Sequence, residues 1–313
     1  MNEITLKDFT RSFGTNNISN DCKSLIAKAD FRYERLDDRE RDKLMLDILK
    51  TIGGDGLIKS SQERQPQWEK GWSENLECFI DSGYRIEELV PKYMRSDRPI
   101  RLGYDYAIPH GANFEQDYAD VFRLWLFEKY FQDVDAVYDF GCGTGYNLTM
   151  LAKLFPGKKL YGLDWATASQ KILVLLAKHH GMNMIAHPFD FYSPNESLKI
   201  ADNSAFMTFA ALEQVGSDYE AFLQFVLKKS PALCVNVEPL LELYDENSLV
   251  DYLAIKYHKR RNYLNGYLSR LKELESRGRI TIQKVQRTYF GNLYHEAYSY
   301  VVWRPREINR RKS

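Results

Sequence analysis

The stretch Val137-Tyr138-Asp139-Phe140-Gly141-Cys142-Gly143-Thr144-Gly145 decides how the rest of the chain is read. A short β-branched and aromatic run, an acidic residue and glycines at alternate positions describe a strand that turns sharply into a helix beginning near Gly145. Glycine is needed where the backbone takes φ > 0 and where a ligand lies against main chain with no Cβ in the way. The turn therefore implies a nucleoside ligand. The nicotinamide and flavin fingerprint, Gly-x-Gly-x-x-Gly, does not fit. Here the third glycine comes one residue early, and Tyr146 stands where that fingerprint wants glycine.

Around this turn the chain reads as alternating strands and helices. Strands are expected at 135–140, 159–164, 183–190, 205–210 and 232–238, with helices at 145–155, 166–180 and 218–228 between them. Strands separated by helices imply right-handed crossovers and a parallel sheet covered on both faces. The end differs: after a long helix expected over 247–276, two β-rich runs at 279–288 and 296–303 have only a loop between them, which predicts a hairpin.

With its acidic-x-Gly-x-Gly-x-Gly pattern at Asp139, Gly141, Gly143 and Gly145, the chain resembles the class I S-adenosylmethionine-dependent methyltransferases. The resemblance covers about 135–304 and implies an α/β, Rossmann-like sheet whose seventh strand slots antiparallel between the fifth and sixth. It also implies S-adenosyl-L-methionine as cofactor. In doubly wound sheets the ligand lies across the C-terminal ends of the strands. The family's second motif falls on Asp164, whose carboxylate would accept both ribose hydroxyls, with Trp165 covering one face of the adenine. Asp190-Phe191 resembles the next motif, with Asp190 accepting from the adenine amino group. The N-terminus of the helix after Gly145, with its free N–H groups, would hold the methionine carboxylate. Phe209-Ala210-Ala211-Leu212-Glu213-Gln214-Val215 looks like the family's Leu-Glu-His segment, with Gln214 in place of the histidine and Glu213 as the match.

Catalytic candidates are His295, Glu238 and Glu213. The loop 290–295 should emerge on the same rim as Asp164, Asp190 and Glu238, and His295, oriented by Glu238 or Glu296, is the expected proton acceptor. An unperturbed histidine near pKa 6.5 suits that role. His258 should lie well off the rim, in a helix leading away from it, although the basic run 256–261 around it offers a site for an acidic portion of an acceptor. For Glu238 the alternative is a buried carboxylate that orders a loop.

The first third carries no motif. Residues 1 to about 35 lack a sustained period and are expected as a loosely packed lead-in. Met45, Ile48, Leu49 and Ile52 predict an amphipathic helix closed near Gly53-Gly54, and Trp68, Trp72, Leu76, Phe79 and Ile80 predict a second after Pro66, with the two tryptophans as core. Residues 116–131 form a further helix leading into the first strand. The organisation expected is a helical N-terminal extension and cover segment over 1–111, then a methyltransferase domain over 112–313. The segment 95–111, broken by prolines and glycines, would fold over the site and offer Arg98, Arg101, Tyr104, Tyr106 and His110 to the substrate.

Among its 313 residues Lys plus Arg and Asp plus Glu both number 43, so no overall charge draws the chain to nucleic acid or an anionic membrane. No apolar h-region opens it and no stretch approaches about 18 apolar residues. A soluble, cytoplasmic protein is expected. Cys22, Cys78, Cys142 and Cys234 are scattered and read as reduced thiols rather than a disulfide frame or a zinc site. The abundance of Tyr and Phe suits a sugar or nucleotide-linked sugar as a hydroxyl acceptor. A small amine metabolite is the alternative acceptor, and a catalytically inactive cofactor-binding scaffold is the alternative of another class.

Overall fold

The computed structural model describes residues 1–91 and 98–306. Its elements run, in chain order, β1 (Asn2–Glu3), α1 (Leu6–Phe13), α2 (Asn20–Lys28), β2 (Arg32–Arg35), α3 (Asp38–Gly53), α4 (Gln65–Asp81), β3 (Ile100–Leu102), β4 (Asp105–Pro109) and α5 (Phe114–Tyr130). The second part continues with β5 (Ala136–Phe140), α6 (Tyr146–Leu154), β6 (Lys159–Asp164), α7 (Thr167–His180), β7 (Met184–Pro188), β8 (Ser204–Phe209), α8 (Glu220–Lys229) and β9 (Leu233–Val237). It ends with α9 (Leu249–Arg261), α10 (Tyr267–Ser276), β10 (Ile280–Gln286), β11 (Phe290–Gly291) and β12 (Tyr300–Pro305).

The larger sheet has the strand order β10-β12-β9-β8-β5-β6-β7. β5 is an inner strand, buried along its whole length and parallel to both neighbours, with Asp139 level with Gly162 on β6 and Met207 on β8. β12 inserts antiparallel between β9 and β10, pairing Tyr300 with Val237 on one side and with Gln286 on the other. This is the parallel sheet with an antiparallel C-terminal pair that the resemblance implies. No helix among the described residues is long and apolar enough to cross a membrane.

The first third departs from expectation. Residues 1–35 are packed and structured: Thr5 and Asp8 form a reciprocal capping box at the start of α1, and Gly14 closes it in the left-handed region. Phe9 and Phe13 are fully buried, with Phe9 stacked 5.4 Å from Tyr118 and Phe13 5.0 Å from Trp125 on α5. The readable signals were the caps and the spacing of Leu6, Phe9 and Phe13 on one face of α1. Nor is the extension only helical. β1, β2, β4, β3 and β11 form a second, antiparallel sheet, and its last member comes from the loop before β12. Strands of two to five residues are too short for alternation to register.

The single long helix expected over 247–276 is two. Asn262 at φ 55° and Gly266 at φ 80° take left-handed conformations that end α9 and start α10. The turn is held from outside by the Leu264 N–H, which donates to the Glu213 carbonyl at 3.0 Å, and by Asn262 Nδ2, which donates to the Ser60 carbonyl at 2.9 Å.

A buried ionic cluster ties the two sheets to α9. Arg101 on β3 donates to Asp251 Oδ1 at 2.7 Å, and Arg287 donates to the same oxygen at 2.6 Å and to both oxygens of Glu296 at 2.7 and 2.8 Å. Two guanidiniums balance two carboxylates, all nearly or wholly out of solvent. Removing one member strands the others, so Asp251→Asn is expected to cost about 3–5 kcal/mol. Urea unfolding measures this, and an unchanged midpoint would show that the cluster contributes nothing net.

Candidate active site

The C-terminal ends of β5, β6 and β8 open on a cavity of about 400 Å³. Its floor is the glycine turn. Gly141, Gly143 and Gly145 all have positive φ, and a Cβ on Gly141 would stand 2.4 Å from Ala211 Cβ. Side chains are excluded there by both conformation and space. Asp164, at the end of β6, fixes this turn: its Oδ2 accepts the Gly143 N–H at 2.9 Å and its Oδ1 the Ala166 N–H at 2.8 Å. A carboxylate has about four lone-pair sites, so acceptor capacity remains on the side of Asp164 that lines the cavity. Burial pushes its pKa up to about 6.

The other residues expected at the cofactor end divide. Trp165, Phe191, Gly141 and Gly143 line the cavity, while Gly145 packs against Leu173 of α7. Asp139 lies beneath it, fully buried, with Oδ2 accepting from Asn147 at 3.3 Å and Oδ1 unpartnered. Asp190 stands outside the lining, its carboxylate taken up by Gln62 at 3.1 Å and the Tyr192 N–H at 2.9 Å. From α5, Glu115 and Arg123 also reach the cavity. Arg123 donates to Asn147 Oδ1 at 2.9 Å and to Asp120 at 3.0 Å, while Glu115 accepts from the Tyr298 hydroxyl at 3.1 Å. Sequence reading missed this pair because only the apolar residues of the helix were followed. Glu115, Ala119 and Arg123, four apart, share a face, which was the available signal.

The roof is α4, and here the expectation that its tryptophans are core is corrected. Trp68 and Trp72 stack 5.5 Å apart and line the cavity, with Trp72 against Gly143, where a Cβ would come within 2.9 Å of the indole. Glu69 anchors the helix by accepting the Thr167 and Ala168 N–H groups at 2.6 and 3.0 Å, capping the start of α7.

Of the expected cover segment, residues 95–97 lie outside the described residues, and Arg98, Pro99 and Ile100 line the cavity. Arg101, Tyr104 and Tyr106 do not. Arg101 is spent in the ionic cluster, Tyr104 is 61% exposed beside Tyr289, and Tyr106 is buried with Met45, Ile48, Val250 and Leu253. His110 faces Glu34, 3.2 Å away.

The far end of the cavity is lined by Glu213, His295, Tyr257, Tyr263, Tyr294, Arg64 and Arg261 among others. Glu213 Oε1 accepts from Gln214 at 2.8 Å, and its buried Oε2 has no partner. Burial, then the neighbouring Glu238, pushes its pKa up to about 8. Glu238 itself does not line the cavity. Its oxygens accept the N–H groups of Ala211, Leu212 and Glu213 at 3.2, 3.0 and 3.0 Å, so it orders the loop that presents Glu213.

His295 is placed by Asn292, whose Oδ1 accepts its N–H at 3.2 Å. Neither Glu238 nor Glu296 orients the ring, because Glu296 is bound to Arg287 and Glu238 to the loop. The partner is His258 Nε2, 3.1 Å from His295 Nδ1. His258 was expected to stand off, but α9 brings its C-terminal end to the cavity, where Tyr257 and Arg261 line it and His258 is buried beside them. His295 is not an unperturbed histidine either: burial, then the charges of His258, Arg101 and Arg261, hold it well below the usual range. Burial likewise takes His258 down to about 3.

These shifts predict an unusual dependence of stability on pH. Glu115, Asp164, Glu213 and Glu238 are raised by burial to about 7, 6, 8 and 7, so the folded chain holds protons the unfolded chain has released. Their contribution is complete below the ordinary carboxylate range and is lost as pH rises to about 8. The two depressed histidines oppose this only below about pH 6.5, where the unfolded chain takes up protons that the folded one refuses. The melting temperature should therefore fall between about pH 7 and about pH 8.5, less steeply in Glu213→Gln. A flat or rising profile in thermal scans would contradict the assignment of these groups.

No protein-family model matches the sequence, and no curated protein matches it significantly. Solved structures do resemble it. Human N-acetylserotonin methyltransferase in complex with SAM is 13% identical, with 85% of this chain and 67% of that one covered, at a TM-score of 0.45. An O-methyltransferase from neocarzinostatin biosynthesis in complex with S-adenosyl-L-homocysteine and 1,4-dihydroxy-2-naphthoic acid is 15% identical, with 61% and 58% covered, at 0.39. The [4+2]-cyclase SpnF is 17% identical, with 76% and 80% covered, at 0.48. Likeness at this level leaves acceptor and chemistry to be argued from the site. By the order of its seven strands the chain has the class I S-adenosylmethionine-dependent methyltransferase fold.

Proposed function

We propose that the chain is an S-adenosyl-L-methionine-dependent methyltransferase that methylates a hydroxyl of a small acceptor, a sugar or nucleotide-linked sugar being the class that suits the cavity. The observation that carries this reading is one cavity holding, at one end, the glycine turn pinned by Asp164 and, at the other, an unpartnered buried carboxyl, Glu213. The residues fit the cofactor. Asp164 keeps acceptor capacity for ribose hydroxyls, Trp165 and Phe191 offer apolar faces to a purine, and Arg123 with the first N–H groups of α6 suits a carboxylate. When bound there, S-adenosyl-L-methionine supplies an electrophilic methyl group on a sulfonium.

The chain's own share is positioning and proton management. Trp68, Tyr257, Tyr263 and Tyr294 give a small acceptor flat apolar faces with polar tips, the arrangement that suits a sugar ring. Holding the acceptor in line is the main source of rate. A neutral hydroxyl also needs a base. Glu213 is a stronger base than His295, because burial raises the one and lowers the other. We assign Glu213 as the proton acceptor and His295, neutral at physiological pH, as a hydrogen-bonding partner of the acceptor. The amine alternative is disfavoured by Arg64 and Arg261, which repel a cationic acceptor. The scaffold alternative leaves the buried, unpartnered Glu213 oxygen without a purpose.

Calorimetry should detect S-adenosyl-L-methionine and S-adenosylhomocysteine but not NAD. Asp164→Ala should weaken both about 10- to 150-fold, the loss of a charged hydrogen-bonding partner. Unchanged affinity would remove the ribose assignment. A radiolabelled methyl-transfer assay against nucleotide sugars, free amines and cell extract identifies the acceptor. With it in hand, kcat/KM should rise with pH to a plateau above about 8, since the base must be deprotonated in the free enzyme. Glu213→Gln should lower kcat by about 10²–10⁴. If His295→Ala produced that loss and Glu213→Gln did not, the two roles would be exchanged.

A further inference from the structure

At the cavity's acceptor end two guanidiniums have no salt-bridge partner among the described residues. The other arginines of the interior are paired: Arg101 and Arg287 with Asp251 and Glu296, Arg123 with Asp120. Arg64 and Arg261 are not. Arg64 donates through Nε to Gln67 at 3.0 Å and through Nη1 to Gln214 at 3.1 Å. Arg261 donates to the Ile58 carbonyl and, at 3.0 Å, to the Tyr263 hydroxyl, leaving its buried Nε without a partner. All these acceptors are neutral. The two groups are close enough to repel, and burial together with the charge of Arg261 lowers the pKa of Arg64. The one carboxyl acting on both, Glu213, is pushed up to about 8 and is mostly uncharged at neutral pH.

Each guanidinium also lies over an aromatic ring, Arg64 5.3 Å from Trp68 and Arg261 5.0 Å from Tyr263. Stacking covers the flat face, and the guanidinium N–H groups not spent on those neutral acceptors remain to donate to an oxyanion. Repelling charges left uncompensated in a cavity are costly unless an anion joins them.

We infer that Arg64 and Arg261 form an oxyanion subsite for the acceptor, so that the substrate carries a phosphate or carboxylate group in addition to the position methylated. This deepens the reading of the cavity as a methyl-transfer site and rests on it for the word acceptor. Of the cations in the run 256–261 only Arg261 lines the cavity, because Lys256 lies over Tyr252 and Arg260 is tied to Gly54.

Calorimetry on the full-length protein, with and without S-adenosylhomocysteine and at fixed ionic strength, tests the subsite with inorganic pyrophosphate, inorganic phosphate and malonate as probes. At least one probe should bind, more weakly as chloride is raised. Arg64→Gln and Arg261→Gln should each weaken it by about tenfold or more, with Arg→Lys at either position restoring part of the loss. Preference for the phosphates points to a phosphorylated or diphosphate-linked acceptor, and preference for malonate to a carboxylate. Should the variants not fold, the arginine Nε–H resonances of the unsubstituted protein replace them: those of Arg64 and Arg261 should shift on adding the probe. Absence of binding by all three probes, or equal binding to the Arg64→Gln/Arg261→Gln double variant, overturns the subsite. Loss of S-adenosylhomocysteine binding alone, with the probes still held, would sink the methyltransferase reading and leave the subsite standing.

Discussion

The carboxylate of Asp164 does three jobs with two oxygens. One holds the N–H of Gly143 and so fixes the floor of the cavity; the other holds the N–H of Ala166 and so sets where α7 begins. The start of α7 is in turn the ledge on which Glu69 anchors α4, and α4 carries Trp68 and Trp72 over the glycine turn. Floor and roof therefore depend on the same end of one strand. The third, on the function proposed above, is to receive a ligand. Two backbone donors do not offset the cost of burying this charge, since its pKa is still up at about 6, and further donors from ribose hydroxyls would stabilise the ionised form.

What was legible in the sequence is what local rules govern. Gly141, Gly143 and Gly145 announced themselves because no other residue fits their backbone, and each parallel strand was long enough for its apolar run to show. Where the reading failed, the deciding information was tertiary. Arg101 looked like a substrate ligand because its segment precedes the sheet, yet a carboxylate 150 positions away claims it. Trp68 and Trp72 have a helical spacing that serves a core or a cavity equally, and only the position of Glu69 on α7 decides between them. Glu238 and His295 were placed on the correct rim, but their partners, a loop's N–H groups and a second histidine, could not be read from one strand's direction of travel.

The N-terminal third is bound to the site too closely to be an independent cover. Phe9 and Phe13 share one hydrophobic core with Val137 and Leu160 of the central strands, and β11 leaves the loop that carries His295 in order to pair with β3. Burial of this kind makes the extension part of the folding unit. It also means that residues lining the far end of the cavity, Arg64 and Trp68 from one segment and Arg261 from another, come from segments fixed to each other by Ser60, Gln214 and Asn262. An acceptor site assembled this way is already preorganised before any ligand arrives.

Preorganisation has an electrostatic consequence at Glu213. Arg64 and Arg261 both favour its ionised form, while burial and Glu238 oppose it and prevail. An oxyanion seated on the two guanidiniums cancels their help, so the proton affinity of Glu213 rises further when the acceptor is bound. A base of higher pKa accepts a hydroxyl proton more readily in the transition state, though less of it is ready at neutral pH. On the proposed roles the arrangement would tie the strength of the base to the presence of a charged acceptor, and a neutral analogue of the same shape would meet a weaker base as well as a weaker grip.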